Sequence, residues 1–170
     1  VLWDASQESS PISITVPSAG LTPSEYTNYV ASHGHDRGNI ILGGAGADEL
    51  RGGMEDDVLV GGPGNDRLAG GGGRDVFVIG AGDANDTILD FQVADGDTIE
   101  LSDLLEGTSR NLADYVQLST VGTNSWLRIN TAGAGRGFTN VEITLVNNVL
   151  RPSDLHYLWA NGHLITRGIG

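Results

Sequence analysis

Cysteine is absent from the 170 residues, so neither a disulfide nor a thiolate metal site can staple the fold. Lysine is absent as well. All nine basic residues are arginine, against 22 acids, for a formal net charge of -13. That balance excludes a nucleic-acid partner, whose phosphates need a basic surface. It also makes the chain repel itself unless cations neutralise it. Aromatics are only 6% and hydrophobic residues 39%, enough for a core but a thin one. No apolar run approaches the roughly 20 residues of a membrane span, so no membrane insertion is expected. The opening Val1-Leu2-Trp3-Asp4 lacks the basic and apolar regions of a secretory signal peptide, and the chain starts without methionine, as a fragment would. What is abundant is glycine, 26 residues, so much of the backbone must turn tightly or take dihedrals that a Cβ forbids. An extracellular chain without disulfides needs another staple, and a metal can serve.

The glycines are not scattered. Residues 43–78 hold four nonapeptides in phase: GGAGADELR, GGMEDDVLV, GGPGNDRLA and GGGGRDVFV. An acid recurs at the sixth place, as Asp48, Asp57, Asp66 and Asp75. A large apolar residue recurs at the eighth, as Leu50, Leu59, Leu68 and Phe77. A degenerate copy over Gly34–Leu42 puts Asn39 and Ile41 in those places, and the spacing then loosens to eleven at Asp86 with Ile88 and Asp97 with Ile99. A period of this kind is the mark of a stacked-repeat architecture. A disordered acidic, glycine-rich linker would not keep aspartate and a large apolar residue in phase over four units.

Each unit divides into a turn and a strand. Glycines at the first, second and fourth places let the chain turn sharply and aim carbonyl oxygens inward. The sixth-place aspartate adds carboxylate oxygen. Calcium, a hard cation, takes roughly six to eight oxygen ligands, more than one turn supplies but within reach of two stacked turns. The last three places form a short strand whose middle side chain points inward. Nine residues make half a coil and eighteen return the chain to the same side. Leu50 and Leu68 therefore stack in one sheet, and Ile41, Leu59 and Phe77 in the other. The calcium ligands fall in pairs: Asp48 with Asp66, Asp57 with Asp75, and Asn39 with Asp57. The turn carbonyls of Gly44, Gly46, Gly62, Gly64, Gly71 and Gly73 complete them, and Asp83, Asp86, Asp90 or Asp97 add a last site. Several calcium ions are expected. In the second repeat Met54-Glu55 replaces the usual pair ending in glycine, which either weakens that site or brings in the carboxylate of Glu55. Without metal the aligned carboxylates repel and the core cannot offset chain entropy, so folding is expected to be coupled to metal.

Around the repeats, Ile12, Ile14 and Val16 alternate with Ser13 and Thr15 as in a strand. Thr22-Pro23-Ser24-Glu25 forms a capping box that predicts a helix over 23–32, ended at Gly34. Downstream, Ser102–Leu105 and Asn111–Asp114 read as short capped turns. Strands are predicted over Tyr115–Thr120, Ser125–Asn130 and Asn140–Val146, joined by turns at 121–124 and 131–137. A short helix follows from Pro152, then a turn at Asn161-Gly162 and a last strand at Leu164-Ile165. Trp3, Trp126 and Trp159 are expected in the core. His156 and His163 are expected at the surface, and Arg128 on the solvent side of its strand. His33 and His35 lack a third ligand at fixed spacing and read as solvated loop residues.

From Gly43 to Leu105 the chain resembles the RTX (repeats-in-toxin) family. Asp86-Thr87-Ile88-Leu89-Asp90-Phe91 and the run from Gly96 to Leu105 are similar to the segment after the roll in type I-secreted proteins. Tyr115-Val116, Trp126–Ile129 and Val141–Leu145 resemble the C-terminal target domain of large RTX adhesins. The resemblance implies a C-terminal export signal read by an ABC transporter of the Gram-negative inner membrane. The C-terminus would leave first, meet calcium, fold and help the upstream remainder of the parent protein out. The expected location is therefore secreted or cell-surface, with biofilm adhesion as the setting.

The fold class expected is mainly β: a short parallel calcium β-roll with a β-rich C-terminal cap and one short N-terminal helix. Residues 1–33 form the N-terminal strand and helix cap, 34–105 the roll, and 106–170 the C-terminal secretion segment, packed as one unit and monomeric. No nucleophile elbow, zinc-protease helix or phosphate loop occurs, so no enzyme is expected. Two other readings stand beside this one: the secretion module of an exported hydrolase, and a ligand-binding adhesin module. Ice binding is disfavoured, because the third and fifth repeat places (Ala45, Met54, Pro63, Gly72; Ala47, Asp56, Asn65, Arg74) carry no Thr/Asn ladder.

Overall fold

The computed structural model describes residues 12–15 (as backbone), 38–80, 85–102, 104–105, 111–131 and 141–166. The helix predicted over 23–32 and residues Trp3, His33, His35 and Asp83 lie outside them.

The repeats alternate between two sheets, as a nine-residue half-coil demands. One sheet is wholly parallel and takes β1 (Ile12–Thr15), β2 (Asn39–Leu42), β4 (Val58–Val60), β6 (Val76–Val78), β8 (Thr98–Glu100) and β12 (Leu164–Ile165), in that order. The other begins in parallel with β3 (Glu49–Gly53), β5 (Arg67–Gly71) and β7 (Asn85–Ile88). It continues through β11 (Val141–Leu145), β10 (Asn124–Ile129) and β9 (Val116–Val121). Side chains on successive strand residues point to opposite faces, so one residue per three-residue strand can reach the interior. It is the eighth-place residue each time. Ile41, Leu59, Phe77 and Ile99 align across one sheet, and Leu50, Leu68 and Ile88 across the other, all with no exposed surface. They belong to one buried cluster with the apolar residues of the C-terminal strands.

The C-terminal segment extends the roll's own sheet. β11 runs parallel to β7, with Leu145 opposite Ile88, and β10 and β9 then add as antiparallel neighbours. The β9–β10 hairpin turns at Gly122, whose φ of +64° suits glycine. Val116, Leu118, Leu127, Ile129, Ile143 and Leu145 face inward. The same alternation puts Trp126 on the outer face, opposite Ser119 and Thr144, so it is half-buried there and not in the core as expected. The Arg128 guanidinium stacks over its ring at 5.4 Å and pairs with Glu142 at 2.7 Å. A 3-10 turn at Leu112–Asp114 begins where Asn111 accepts the N–H of Ala113, as its capping side chain predicts. Helix α1 (Asp154–Ala160) buries Leu155 and Leu158, while Trp159 packs at the core's margin. β12 then docks on β8. His163 is half-buried at that junction, with Nδ1 at 2.8 Å from the Asp97 carbonyl and its ring stacked on Tyr157, instead of lying free at the surface.

Candidate metal centre

The sixth-place residues form two ladders along the turns, one on each side of the roll. On one side the Asp48 N–H donates to Asp66 Oδ1 at 2.8 Å, and the Asp66 N–H to Asp86 Oδ1 at 2.9 Å. On the other side Asn39 donates to Asp57 Oδ1 from its main chain at 2.6 Å and from Nδ2 at 2.8 Å. The Asp57 N–H then donates to Asp75 Oδ1 at 2.9 Å, and the Asp75 N–H to Asp97 Oδ1 at 3.0 Å. The structure thus brings together the pairs expected from the spacing. The looser end keeps the ladder by lengthening its steps from 18 residues to 20 and 22.

The ladder consumes one oxygen of Asp57, Asp66, Asp75, Asp86 and Asp97; what the other meets decides the chemistry. Asn39, Asp57, Asp66, Asp75, Asp86 and Asp97 are all buried. Asp57 Oδ2 is buried with no hydrogen-bond partner, an expensive state for an anionic oxygen. Burial, above all, pushes the carboxyl of Asp57 up, with Glu55 and Asp56 adding repulsion. Burial likewise pushes Asp75 up to about 7, aided by Asp97, Asp57 and Asp90, and raises Asp97, aided by Asp90 and Asp95. Acids stacked in this way need a cation or protons. No group of three or more His, Asp or Glu side chains among the described residues could hold a metal unaided. An ion here would draw on main-chain carbonyls as well as on carboxylates.

The turns supply those carbonyls at close range. A Cβ on Gly62, where φ is +92°, would lie 2.5 Å from the Gly44 carbonyl oxygen, and one on Gly64 would strike that of Gly46. Stacked turns are this near because both carry glycine, so Gly44 and Gly46 sit between turns as expected. A Cβ on Gly73 (φ +98°) would meet Glu55 instead, at 2.7 Å from its carbonyl oxygen. Glu55 itself stays out of the left-handed region: among the described residues Asn147 is the sole non-glycine with positive φ. The turn accommodates glutamate by changing backbone conformation, and the exposed Glu55 acts on Asp57 through its charge.

One feature escaped the sequence reading, and one residue named there for the last calcium site, Asp90, makes contacts that were not foreseen. Fifth-place side chains form an outer ladder: Asp56 Oδ1 accepts the Arg74 N–H at 2.8 Å, and Asn65 Oδ1 the Asn85 N–H at 3.1 Å. Arg74 also pairs with Asp56 Oδ2 at 2.9 Å, and its backbone N–H first, then this guanidinium, hold the Asp56 carboxyl below its ordinary range. A search for acceptors spaced by eighteen would have found the first of these. Asp90, in the second case, accepts the N–H groups of Gly70 and Gly71, both at 3.0 Å.

The family described as RTX calcium-binding nonapeptide repeat (4 copies) matches residues 33–68 and 52–88. The chain carries RTX calcium-binding repeats. Their β-roll is the fold described above. No curated protein matches the chain in sequence. Among solved structures, the AlgE6R2 subunit from the Azotobacter vinelandii mannuronan C5-epimerase is similar, with a TM-score of 0.56 at 24% identity over 98% of this chain and 98% of that one. That likeness shows the shared fold. The AlgE6R3 subunit of the same enzyme matches with a TM-score of 0.47 at 24% identity, covering 94% of this chain and 81% of that one. RTX repeats bind calcium, and the buried carboxylate ladders with glycine-turn carbonyls are a donor set of hard oxygens that fits this ion.

Proposed function

We propose that the chain is the C-terminal folding and export module of a large surface adhesin, unfolded in a calcium-poor cytosol and folded on meeting calcium outside the cell. The observation that carries this is the buried ladder in which Asp57 Oδ2 has no partner and Asp75 is pushed up to about 7. Calcium supplies the positive charge that lets these carboxylates stay ionised while buried. Asn39, Asp48, Asp57, Asp66, Asp75, Asp86 and Asp97 would hold the ions, with Asp83 and the carbonyls of Gly44, Gly46, Gly62, Gly64, Gly71 and Gly73. Extracellular calcium modules bind with dissociation constants of roughly 10⁻⁴ to 10⁻³ M, so such a module discriminates between the two sides of a membrane.

Residues 106–170 would carry the signal read by the type I ABC transporter, and the upstream remainder of the protein is the cargo. The module is monomeric, takes no part in catalysis itself and works in a secreted or cell-surface protein. No helix among the described residues is long and apolar enough to cross a membrane. A reporter fused upstream of the chain will be exported by Gram-negative cells that hold a type I exporter. Deleting the residues after Pro152 removes α1 and β12 and will abolish that export. Undiminished export of the truncated chain would overturn the assignment of the signal to this segment.

A further inference from the structure

The turn over residues 90–97 is built unlike the glycine turns. It closes on itself: the Gln92 carbonyl accepts the N–H of Asp95 at 3.3 Å and of Asp97 at 3.2 Å, and the Val93 carbonyl accepts the Gly96 N–H at 3.2 Å. Asp97 Oδ2 also takes the Gln92 N–H at 2.7 Å. Asp90 precedes this turn and reaches back to the turn over 70–75, where each of its oxygens accepts one amide, from Gly70 and from Gly71. In the first repeat the matching second-place amide, on Gly44, goes to that repeat's own Asp48 Oδ2 at 2.8 Å. In the last repeat the second-place amide goes to Asp90 instead, whereas in the second repeat Asp57 Oδ2 accepts no amide.

Groups outside the glycine turns set the position of Asp90. Its neighbour Phe91 is buried with its ring 6.4 Å from that of Phe77, and the Phe91 carbonyl accepts Asn148 Nδ2–H at 2.7 Å. On the other side the Leu89 N–H donates to Leu68 and the Ile88 carbonyl accepts from Val146, at 2.8 and 2.9 Å. None of these contacts needs a metal. Resting on the calcium reading above, we propose that Asp90 is a positioning residue and not a calcium ligand. Held by the C-terminal segment, it fixes the opening of the turn over 70–75, including Gly71 at φ +104°, in its calcium-ready shape and leaves Asp75 free to face the ion. The C-terminal segment thereby sets how readily the adjoining site fills.

The test combines equilibrium dialysis with calcium and a calcium titration followed by circular dichroism, on the whole chain and on Asp90→Ala and Asp90→Asn. Both variants will bind as many ions at saturation as the parent, because no ligand has been removed. The calcium concentration at half-folding will rise by about two- to fivefold for Asp90→Ala, which loses two charge-assisted hydrogen bonds. It will rise less for Asp90→Asn, which keeps one acceptor oxygen. A stoichiometry lower by one ion would make Asp90 a ligand and overturn the proposal. So would an unchanged calcium midpoint, including one accompanied by a lower melting temperature in saturating calcium. Failure of the parent chain to bind calcium is a separate result, and it would remove the underlying reading itself.

Discussion

A Gly71→Val chain will lose about 3 kcal/mol or more of stability even in saturating calcium, a large part of what a domain of this size possesses. Gly71 sits at φ +104°, where a β-branched residue is strained by roughly 1–3 kcal/mol before any contact is considered. Its Cβ would then strike the Gly53 carbonyl oxygen of the stacked turn, which is backbone and cannot swing aside. The turn would have to move away from its partner, separating the carbonyls that face each other across the stack. Gly72→Ala is the matched control. Its φ is not in the left-handed region, and its Cβ would find the main chain and tip of Met54 at 3.6 to 3.8 Å, ordinary contact distances. That variant should stay within about 0.5 kcal/mol of the parent. Urea unfolding of both in excess calcium separates them. Equal stabilities would mean that turn stacking does not hold the roll.

Stripped of calcium, the protein will be unfolded near about pH 8 and will gain folded structure towards about pH 5, the reverse of its calcium-loaded form. Burial pushes the Asp75 carboxyl up to about 7 from an ordinary 3.8, and it raises Asp57 and Asp97 as well. For an acid whose pKa is higher in the folded state, the folded chain holds its proton more tightly than the unfolded chain. The resulting stabilisation is complete below 3.8 and is lost as the pH rises through about 7. Calcium binding requires those same carboxylates to be ionised, so the calcium midpoint will rise as the pH falls below about 7, and binding in that window will release protons. Circular dichroism of the stripped protein and thermal melts of the loaded protein across this range check both signs. A stripped protein whose stability increases with pH through the window would contradict the buried, metal-free ladder.

The roll was legible in the sequence because its information is local and repeated. One aspartate and one large apolar residue per nine determine which sheet each strand joins and which sixth-place residues meet, and Asp57 meets Asp75 for that reason. The individual C-terminal strands could be read too, since Leu127 and Ile129 alternate with Trp126 and Arg128. What those strands pair with could not. That Leu145 lies beside Ile88, or Leu164 beside Ile99, depends on contacts between residues far apart in the chain, with no period to announce them. Trp126 was misplaced because a large aromatic suggests a core, whereas the strand's alternation assigns it to the outer face with Arg128. Asp90 was read as a candidate for the last calcium site, and its contacts were hidden for a different reason. It lies where the nine-residue phase has already broken, so its reach to Gly70 and Gly71 follows from the longer last coil and from the anchoring of Phe91.

The most direct test is a calcium titration of the EDTA-stripped protein near neutral pH, followed by far-UV circular dichroism and thermal melting, with magnesium as the control. Cooperative gain of β structure and of melting temperature with calcium, and not with magnesium, is the predicted result. A stripped protein that already shows the full β signal and melts at the same temperature with or without calcium would contradict calcium-coupled folding.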